Sequence, residues 1–325
     1  MTKVFIDGEE GTTGLKILEK FQDRNDIELL RIDPELRKDP KERKKWINLS
    51  DFTILCLPDA AATEAVSMVE NDHTRIIDAS TAHRIHPDWA YGFPELSTQY
   101  REKIVGSSRV AVPGCYASGF LSVVFPLVQG GILPKDYPVT VHAVSGYSGA
   151  GKKGIAQYEA PARDKEFDAP RQYALPQAHK HLPEMQVHSG LSYKPMFNPY
   201  VCDYFAGMVV SVPLHTRLLS RRVTPSEIKS LYDRHYSGSK FIRVAELNGA
   251  DVLRDGFLSA NTLEGTNSME IFVCGNEEQI LVCSRLDNLG KGASGAAVQC
   301  LNLMMRIDES VGLKTMDYSE KDERI

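Results

Sequence analysis

No run of apolar residues in this 325-residue chain approaches the ~18–20 that a membrane-crossing helix needs. Nor does one sign of charge dominate. The net charge is −5, with 25 % charged and 42 % hydrophobic residues, the balance of a soluble globular protein. Nothing in it points to nucleic acid or to a membrane surface. The densest basic run, Arg37-Lys-Asp-Pro-Lys-Glu-Arg-Lys-Lys45, is broken by acids and reads as a solvated face or loop. The six cysteines (56, 115, 202, 274, 283, 300) form no C-x-x-C pair and no metal-ligand spacing. Several lie inside apolar runs such as Ile54-Leu-Cys-Leu, which fits reduced thiols and a cytoplasmic location better than a disulfide framework. No basic-plus-apolar leader precedes the opening strand Lys3-Val-Phe-Ile, and no internal repeat or low-complexity tract is present.

What is present is an alternation. Lys3–Asp7, Ile27–Ile32, Phe52–Leu57 and Arg75–Asp78 read as strands, with helical stretches at Thr13–Asp23 and Ala60–Glu70 between them. Apolar strands separated by helices predict an α/β domain with a doubly wound parallel sheet covered on both faces. The stretches Lys103-Ile-Val-Gly and Arg109-Val-Ala-Val read as further strand. Beyond Cys115 the texture changes to longer strands that can pair antiparallel: Val139–Val144, Gly207–Pro213, Phe241–Val244, Ser268–Val273 and Gln279–Ser284. That half predicts an α+β domain. From Asn288 to Ile307 the chain turns helical and rich in Gly and Ala, a helix expected to dock closely on another backbone. The polar end from Ser319 is expected to fray.

Cys115 stands out. It follows Arg109-Val-Ala-Val and a Pro-Gly turn, and it precedes the apolar, helix-length Phe120-Leu-Ser-Val-Val-Phe-Pro-Leu-Val. A cysteine there lies at a helix N-terminus, where unpaired N–H groups and the helix dipole favour a thiolate nucleophile. The bland alternative is a small buried residue. A thiolate needs a proton partner, and the best candidates are His179 and His181, in Pro176-Gln-Ala-His-Lys-His-Leu-Pro-Glu184. His215 is a further candidate, and a metal site at the pair lacks an obvious third ligand.

Glycines at 8, 11 and 14 follow the first strand and open a helix, giving G-x-x-G-x-x-G, one residue longer than the usual dinucleotide fingerprint. In a strand–turn–helix setting they let backbone N–H groups approach a pyrophosphate. At the end of the second strand Asp33 would suit NAD, whereas Arg31, Arg37 and Lys38 would hold a 2′-phosphate, and the basic side is heavier. A second run, Gly146-Tyr-Ser-Gly-Ala-Gly-Lys-Lys153, nearly spells an ATP-binding loop, but Lys153 stands where a magnesium-ligating hydroxyl is needed. It can still seat a small anion. Arg84, Lys153 and Arg217 are candidate clamps for a carboxylate or phosphate.

Several pieces, read in order, carry a resemblance. They include the glycine turn, Ile77-Asp-Ala-Ser-Thr-Ala-His-Arg84, Tyr91-Gly-Phe-Pro-Glu95, Val112-Pro-Gly-Cys-Tyr116 and Ser145-Gly-Tyr-Ser-Gly-Ala-Gly151. His179-Lys-His-Leu-Pro-Glu184 and Asp287-Asn-Leu-Gly-Lys-Gly-Ala-Ser-Gly-Ala-Ala-Val-Gln299 complete the set. Together they resemble the N-acetyl-γ-glutamyl-phosphate reductase family in its shorter form. The family's longer form has Ala-Asp-Phe-Arg where this chain has Thr81-Ala-His-Arg84, and Pro-Met-x-Arg-Gly where it has Pro213-Leu-His-Thr-Arg217.

The resemblance implies a Rossmann-type NADP domain (1–114 and 288–325) closed by the C-terminal helix. It also implies a catalytic and oligomerisation domain (115–287) with a mixed or antiparallel sheet, and a homo-oligomer. It puts the nucleophile on Cys115 and the acid/base role on the His179/His181 pair. The expected cofactor residues are Gly8, Gly11, Thr12, Thr13, Gly14, Arg31, Arg37, Lys38 and Asn288, for NADP(H). The expected substrate residues are Arg84, Ser145, Gly146, Lys153, His215 and Arg217, with no metal, no nucleic acid and no membrane partner. The implied reaction is reductive dephosphorylation of an N-acetylated glutamyl phosphate through a cysteine thioester. The rivals are aspartate-semialdehyde dehydrogenase, a Cys-His hydrolase without dinucleotide, and a redox sensor on the same scaffold.

Overall fold

The computed structural model describes residues 1–318, so the polar end from Ser319 lies outside the described residues. The chain divides into two compact units: Met1–Gly114 with Ala293–Leu313, and Cys115–Gly292 with residues 314–318. The returning segment is thus narrower than the expected 288–325. Asp287 and Asn288 bond to Gly265 and Gly207 in the second unit, and Lys314 and Met316 bond there to Asn267 and Ser268.

The first unit runs β1 (Thr2–Asp7), α1 (Thr12–Phe21), β2 (Ile27–Leu30), α2 (Pro40–Leu49), β3 (Phe52–Leu55), α3 (Asp59–Ser67), β4 (Arg75–Asp78), β5 (Ala90–Tyr91), α4 (Thr98–Gly106) and β6 (Arg109–Ala111). Its six strands pair in parallel in the order β2-β1-β3-β4-β6-β5. Side chains alternate between two cores. Val4, Ile6, Ile54, Ile77 and Val110 face α1 and α4. Phe5, Leu55, Ile76 and Ala111 face α2 and α3. Burial on both faces is why these strands read as continuous apolar runs. Lys103–Gly106, expected as strand, closes α4 instead. That helix starts earlier, at Ser97, whose hydroxyl accepts the Tyr100 N–H at 3.4 Å, and Ile104 is its buried residue.

The second unit runs α5 (Cys115–Gln129), β7 (Thr140–Gly146), α6 (Gly151–Tyr158), β8 (Arg171–Gln172), α7 (Leu182–Ser189), β9 (Met196–Cys202), β10 (Met208–His215), α8 (Pro225–His235), β11 (Ile242–Val244), β12 (Met269–Gly275) and β13 (Gln279–Leu286). Its sheet order is β11-β12-β13-β10-β7-β9-β8. The centre is antiparallel, while β7–β9 and β11–β12 are parallel. No strand was expected over β9, which carries Pro199, a residue disfavoured inside sheets. The sheet uses it there: the Pro199 carbonyl accepts the Tyr173 N–H at 3.2 Å.

Apolar nearly all round, α5 is buried from Tyr116 to Val128 and packs on β10, β13, α7 and α8. Gly119 lets it close on the sheet, since a Cβ there would sit 2.6 Å from Val210 Cγ2. Pro126 has no N–H for the Ser122 carbonyl one turn back. The Tyr236 hydroxyl takes that place, donating to the Ser122 carbonyl at 2.5 Å.

After β13 the chain enters a π-helical turn (Gly290–Ser294) and then α9 (Gly295–Met304), whose ten residues are all buried. Ala296, Ala297, Cys300 and Leu301 join the core that α1 and α4 share. The small residues let it lie close, as the sequence predicts.

Candidate functional site

In the first unit the chain goes from β1 outward to β2, then returns across β1 to β3. Ligands in such sheets bind beyond the carboxyl ends of the strands at that reversal. A cleft of about 370 Å³ lies there, lined among others by Gly8, Gly11, Arg37, Lys38, Arg43 and Cys56. Gly8 has φ +88°, and a Cβ on it would sit 2.5 Å from the Cys56 carbonyl oxygen. A Cβ on Gly14 would sit 2.7 Å from Glu9 backbone atoms. Gly11 precedes α1 without a side-chain cap. The first-turn N–H groups of Thr12, Thr13 and Gly14 therefore have no acceptor within the helix. This cradle, without a Cβ at its three glycine positions and ending in helix N–H groups, fits a nucleotide pyrophosphate.

Of the basic residues expected at the ribose end, Arg37 and Lys38 line the cleft. Arg37 is paired with Glu10 at 2.6 Å. Arg31 is not among the lining residues; it is exposed and paired with Glu9 at 3.1 Å. Among the lining residues not singled out from the sequence is a buried arginine. Arg43, inside the run read as a solvated face, is 7 % exposed. Its Nε donates to Asp7 Oδ2 at 3.0 Å and its Nη1 to Glu64 Oε2 at 2.9 Å. Burial raises the Asp7 carboxyl above its ordinary range, against the pull of Arg43. Burial, with the Asp78 and Asp7 carboxylates adding, pushes the Cys56 thiol up to about 12.

Arg84, expected to clamp substrate, is buried. Its Nε donates to the Val112 carbonyl at 2.8 Å and its Nη2 to the Ala79 carbonyl at 3.1 Å. Those bonds brace the strand that leads to Cys115. Beside it Asp78, fully buried, accepts from His83 Nδ1 at 2.6 Å, and the His83 ring stacks on Trp89 with centroids 4.1 Å apart. The imidazole is held between a carboxylate and an indole.

In the second unit Cys115 is the first residue of α5 and half-buried. The next residue, Tyr116, lies beside Tyr173, their ring centres 6.5 Å apart, and near Ser145 at the end of β7. Burial, then Tyr173 and Cys115, push the Tyr116 hydroxyl well above its ordinary value. Burial likewise raises Tyr173, with Cys115 adding and the Tyr116 hydrogen bond opposing. Both hydroxyls thus keep their protons at neutral pH.

His179 and His181 come to the same place. Their rings lie 4.7 Å apart, and Tyr116 is 5.9 Å from the first and 6.0 Å from the second. Tyr173 lies 5.8 Å and Phe197 5.1 Å from His179. The His181 N–H donates to His179 Nδ1 at 3.1 Å, so a neutral His179 carries its proton on Nε2. Among the described residues no three His, Cys, Asp or Glu side chains gather as a metal site would. Tyr173 and Phe197 had no signal in the sequence, since only the fold brings them to His179.

Other expected substrate residues lie elsewhere. Met208, at the start of β10, pairs with Ser145, and His215 is seven residues further along the same strand. At ~3.3 Å per residue that is roughly 23 Å from the Ser145 level. His215 and Arg217 are both exposed there. Lys153 is exposed in the first turn of α6 rather than in a loop. Gly146 is pressed onto residues 204 and 205, where a Cβ would lie 2.5 Å from the Phe205 carbonyl oxygen. Asn288, expected at the cofactor, accepts the Gly207 N–H at 2.8 Å and donates to Ser148 Oγ at 2.8 Å. Its amide pins two loops of the second unit.

A phosphate cradle on a parallel sheet, joined in one chain to a thiol set beside histidines on a mixed sheet, defines a dehydrogenase of the semialdehyde class. Residues 3–105 match the family described as semialdehyde dehydrogenase, NAD binding domain. Residues 115–288 match semialdehyde dehydrogenase, dimerisation domain. Aspartate semialdehyde dehydrogenase II from Vibrio cholerae shares the fold at TM-score 0.68 and 17 % identity, covering 94 % of this chain and 98 % of that one. The aspartate semialdehyde dehydrogenase of Francisella tularensis does so at TM-score 0.69 and 14 % identity, covering 94 % and 100 %. In sequence the chain is far nearer to another group. It is 48 % identical to N-acetyl-gamma-glutamyl-phosphate reductase 2 of Nostoc sp. over 96 % of this chain and 99 % of the relative. It is 45 % identical to the enzyme of that name from Pseudomonas putida, over 93 % and 96 %. The chain belongs to the N-acetyl-γ-glutamyl-phosphate reductase family.

Proposed function

We propose that this chain catalyses the reductive dephosphorylation of N-acetyl-L-glutamyl 5-phosphate to the 5-semialdehyde, releasing phosphate, with NADPH as reductant. This is a step of arginine biosynthesis, carried out in the cytoplasm by a homo-oligomer joined through the 115–288 region. The observation that carries the reading is Cys115 at the first position of α5, within one cluster with His179, His181 and Tyr173.

The sulfur of Cys115 attacks the acyl carbon as a thiolate, which the N-terminal end of α5 favours. The carbon–sulfur bond forms, the carbon–oxygen bond to phosphate breaks, and a thioester remains. The departing phosphate takes a proton from the histidine pair in its protonated, imidazolium form, which is left neutral. Backbone N–H groups in the first turn of α5 steady the oxyanion, an effect of ~3–4 kcal/mol per donor in comparable acyl chemistry. Tyr173, beside Tyr116, keeps its own O–H to offer. A reduced dinucleotide, when bound, would supply the hydride that the thioester carbon accepts. Collapse of the thiohemiacetal oxyanion then expels the Cys115 thiolate and frees the aldehyde, and one proton taken up from solvent by the histidine pair restores the enzyme's starting charge.

The Gly8–Gly14 turn and the α1 N–H groups would hold the pyrophosphate. Arg37 and Lys38, in exchange for their present neighbours, would hold a 2′-phosphate, which supports NADP over NAD. Mass spectrometry after mixing the enzyme with NADP and N-acetylglutamate semialdehyde tests the mechanism. An acyl adduct on the peptide bearing Cys115 is expected; turnover with that sulfur unmodified under trapping conditions would remove it.

A further inference from the structure

The nucleophile is seated against a residue that has no side chain, and we infer that Gly292 is a positioning residue for Cys115. The inference rests on Cys115 being the attacking group. After β13 the chain passes Asp287 and forms the π-helical turn Gly290–Ser294. Such turns are rare and often mark functional sites, because i→i+5 bonding is poorly packed.

This one is tied on every side. The Asp287 carboxylate accepts the N–H groups of Gly265 and Leu289, each at 2.9 Å, and its carbonyl accepts that of Gly292 at 2.9 Å. Gly290 is pressed onto Thr266, where a Cβ would lie 2.0 Å from the carbonyl oxygen. Lys291, between the two glycines, is 2 % exposed, with its ammonium 5.2 Å from the centre of the Phe241 ring.

With the turn so fixed, Gly292 meets the thiol-bearing residue directly. A Cβ built on it lies 2.8 Å from Cys115 Cβ and 3.3 Å from Cys115 Cα. Carbon atoms in contact settle at ~3.5–4.0 Å. A methyl group at 292 therefore displaces the carbon that carries the sulfur by several tenths of an ångström. The turn has little freedom to yield, so the start of α5 moves. Attack geometry tolerates little of this, since a misplacement of ~1 Å costs about 10²-fold in rate.

Gly292→Ala should lower kcat about 10- to 100-fold, leaving KM for the acyl phosphate and NADPH affinity within about threefold. Gly290→Ala is the control: it strains the same turn against Thr266, away from the thiol. It should cost at least as much in Tm and less in kcat per folded molecule. A second measurement needs no turnover. In a double-mutant cycle of Tm values, Cys115→Gly removes the Cβ that the new methyl strikes, so roughly half or more of the Gly292→Ala loss should be recovered. If Gly292→Ala alone does not fold, the double variant still should. Parental kcat in folded Gly292→Ala, a kcat loss no greater than that of Gly290→Ala, or strictly additive Tm losses would each overturn the inference. Full turnover by Cys115→Ser, with the Tm coupling intact, would instead remove the nucleophile assignment and leave the packing standing.

Discussion

The phosphate turn of the first unit places Gly8, Gly11 and Gly14 within seven consecutive positions, and its ligand-facing groups are backbone N–H. The cluster around Cys115 takes its parts from α5, the end of β7, β9 and the segment 173–181, and those parts are side chains. A site made of backbone needs the right small residues in one stretch. A site made of side chains needs a sheet and a helix to bring distant positions together. The first tolerates no added atoms; the second tolerates no change of geometry. The two should therefore fail differently.

The largest contrast comes from Cys115→Ser. Turnover should drop by at least about 1,000-fold, because a hydroxyl without a strong base is a poor nucleophile. NADPH binding, followed by fluorescence titration, should stay within about twofold, since the cradle lies in the other unit. Parallel loss of binding would break the division of labour.

Gly8→Val is the converse. Its Cβ meets the Cys56 carbonyl at 2.5 Å and its φ of +88° is strained for a β-branched residue. NADPH affinity should weaken about 100-fold, whereas iodoacetamide should still alkylate Cys115 at close to the parental rate. Arg37→Ala tests a finer point. Removing a charged hydrogen bond of ~1.5–3 kcal/mol should reduce the preference for NADPH over NADH by about tenfold or more. An unchanged ratio of kcat/KM values would place the 2′-phosphate elsewhere.

The smallest effect is on stability. Burial pushes the Cys283 thiol up to about 12, with Cys274 adding and the Ser211 hydrogen bond opposing. A thiol held neutral in the folded state and ionising near its ordinary value when unfolded stabilises fully below about pH 9, and that stability fades as pH rises toward about 12. Cys283→Ala should therefore make the alkaline decline of Tm shallower, with little change near neutral pH.

Much of the first unit was legible because its code is local. Alternating apolar strands and helices, and three glycines between β1 and α1, read directly as a covered parallel sheet with a phosphate turn. Arg43 was hidden because a basic run looks solvated until α2 folds one of its members onto Asp7. Lys103–Gly106 looked like strand on composition, and a Ser cap several residues earlier overrode that preference. In the second unit Cys115 and the histidine pair were visible as unusual residues in unusual company. Tyr173 and Phe197 were not. Arg84 and Asn288 bond to backbone groups, and His215 lies exposed at the far end of β10.

By itself the sequence determined the chain's family, its parallel sheet, its glycine turn and the cysteine that we propose as nucleophile, because each is written in residues a short distance apart. Only the tertiary structure decided which side chains stand beside that sulfur and which basic residues line the cleft. It also decided that Gly292 backs the nucleophile. Those are distances between residues far apart in the chain, set by how helices and strands pack, and no local pattern encodes them.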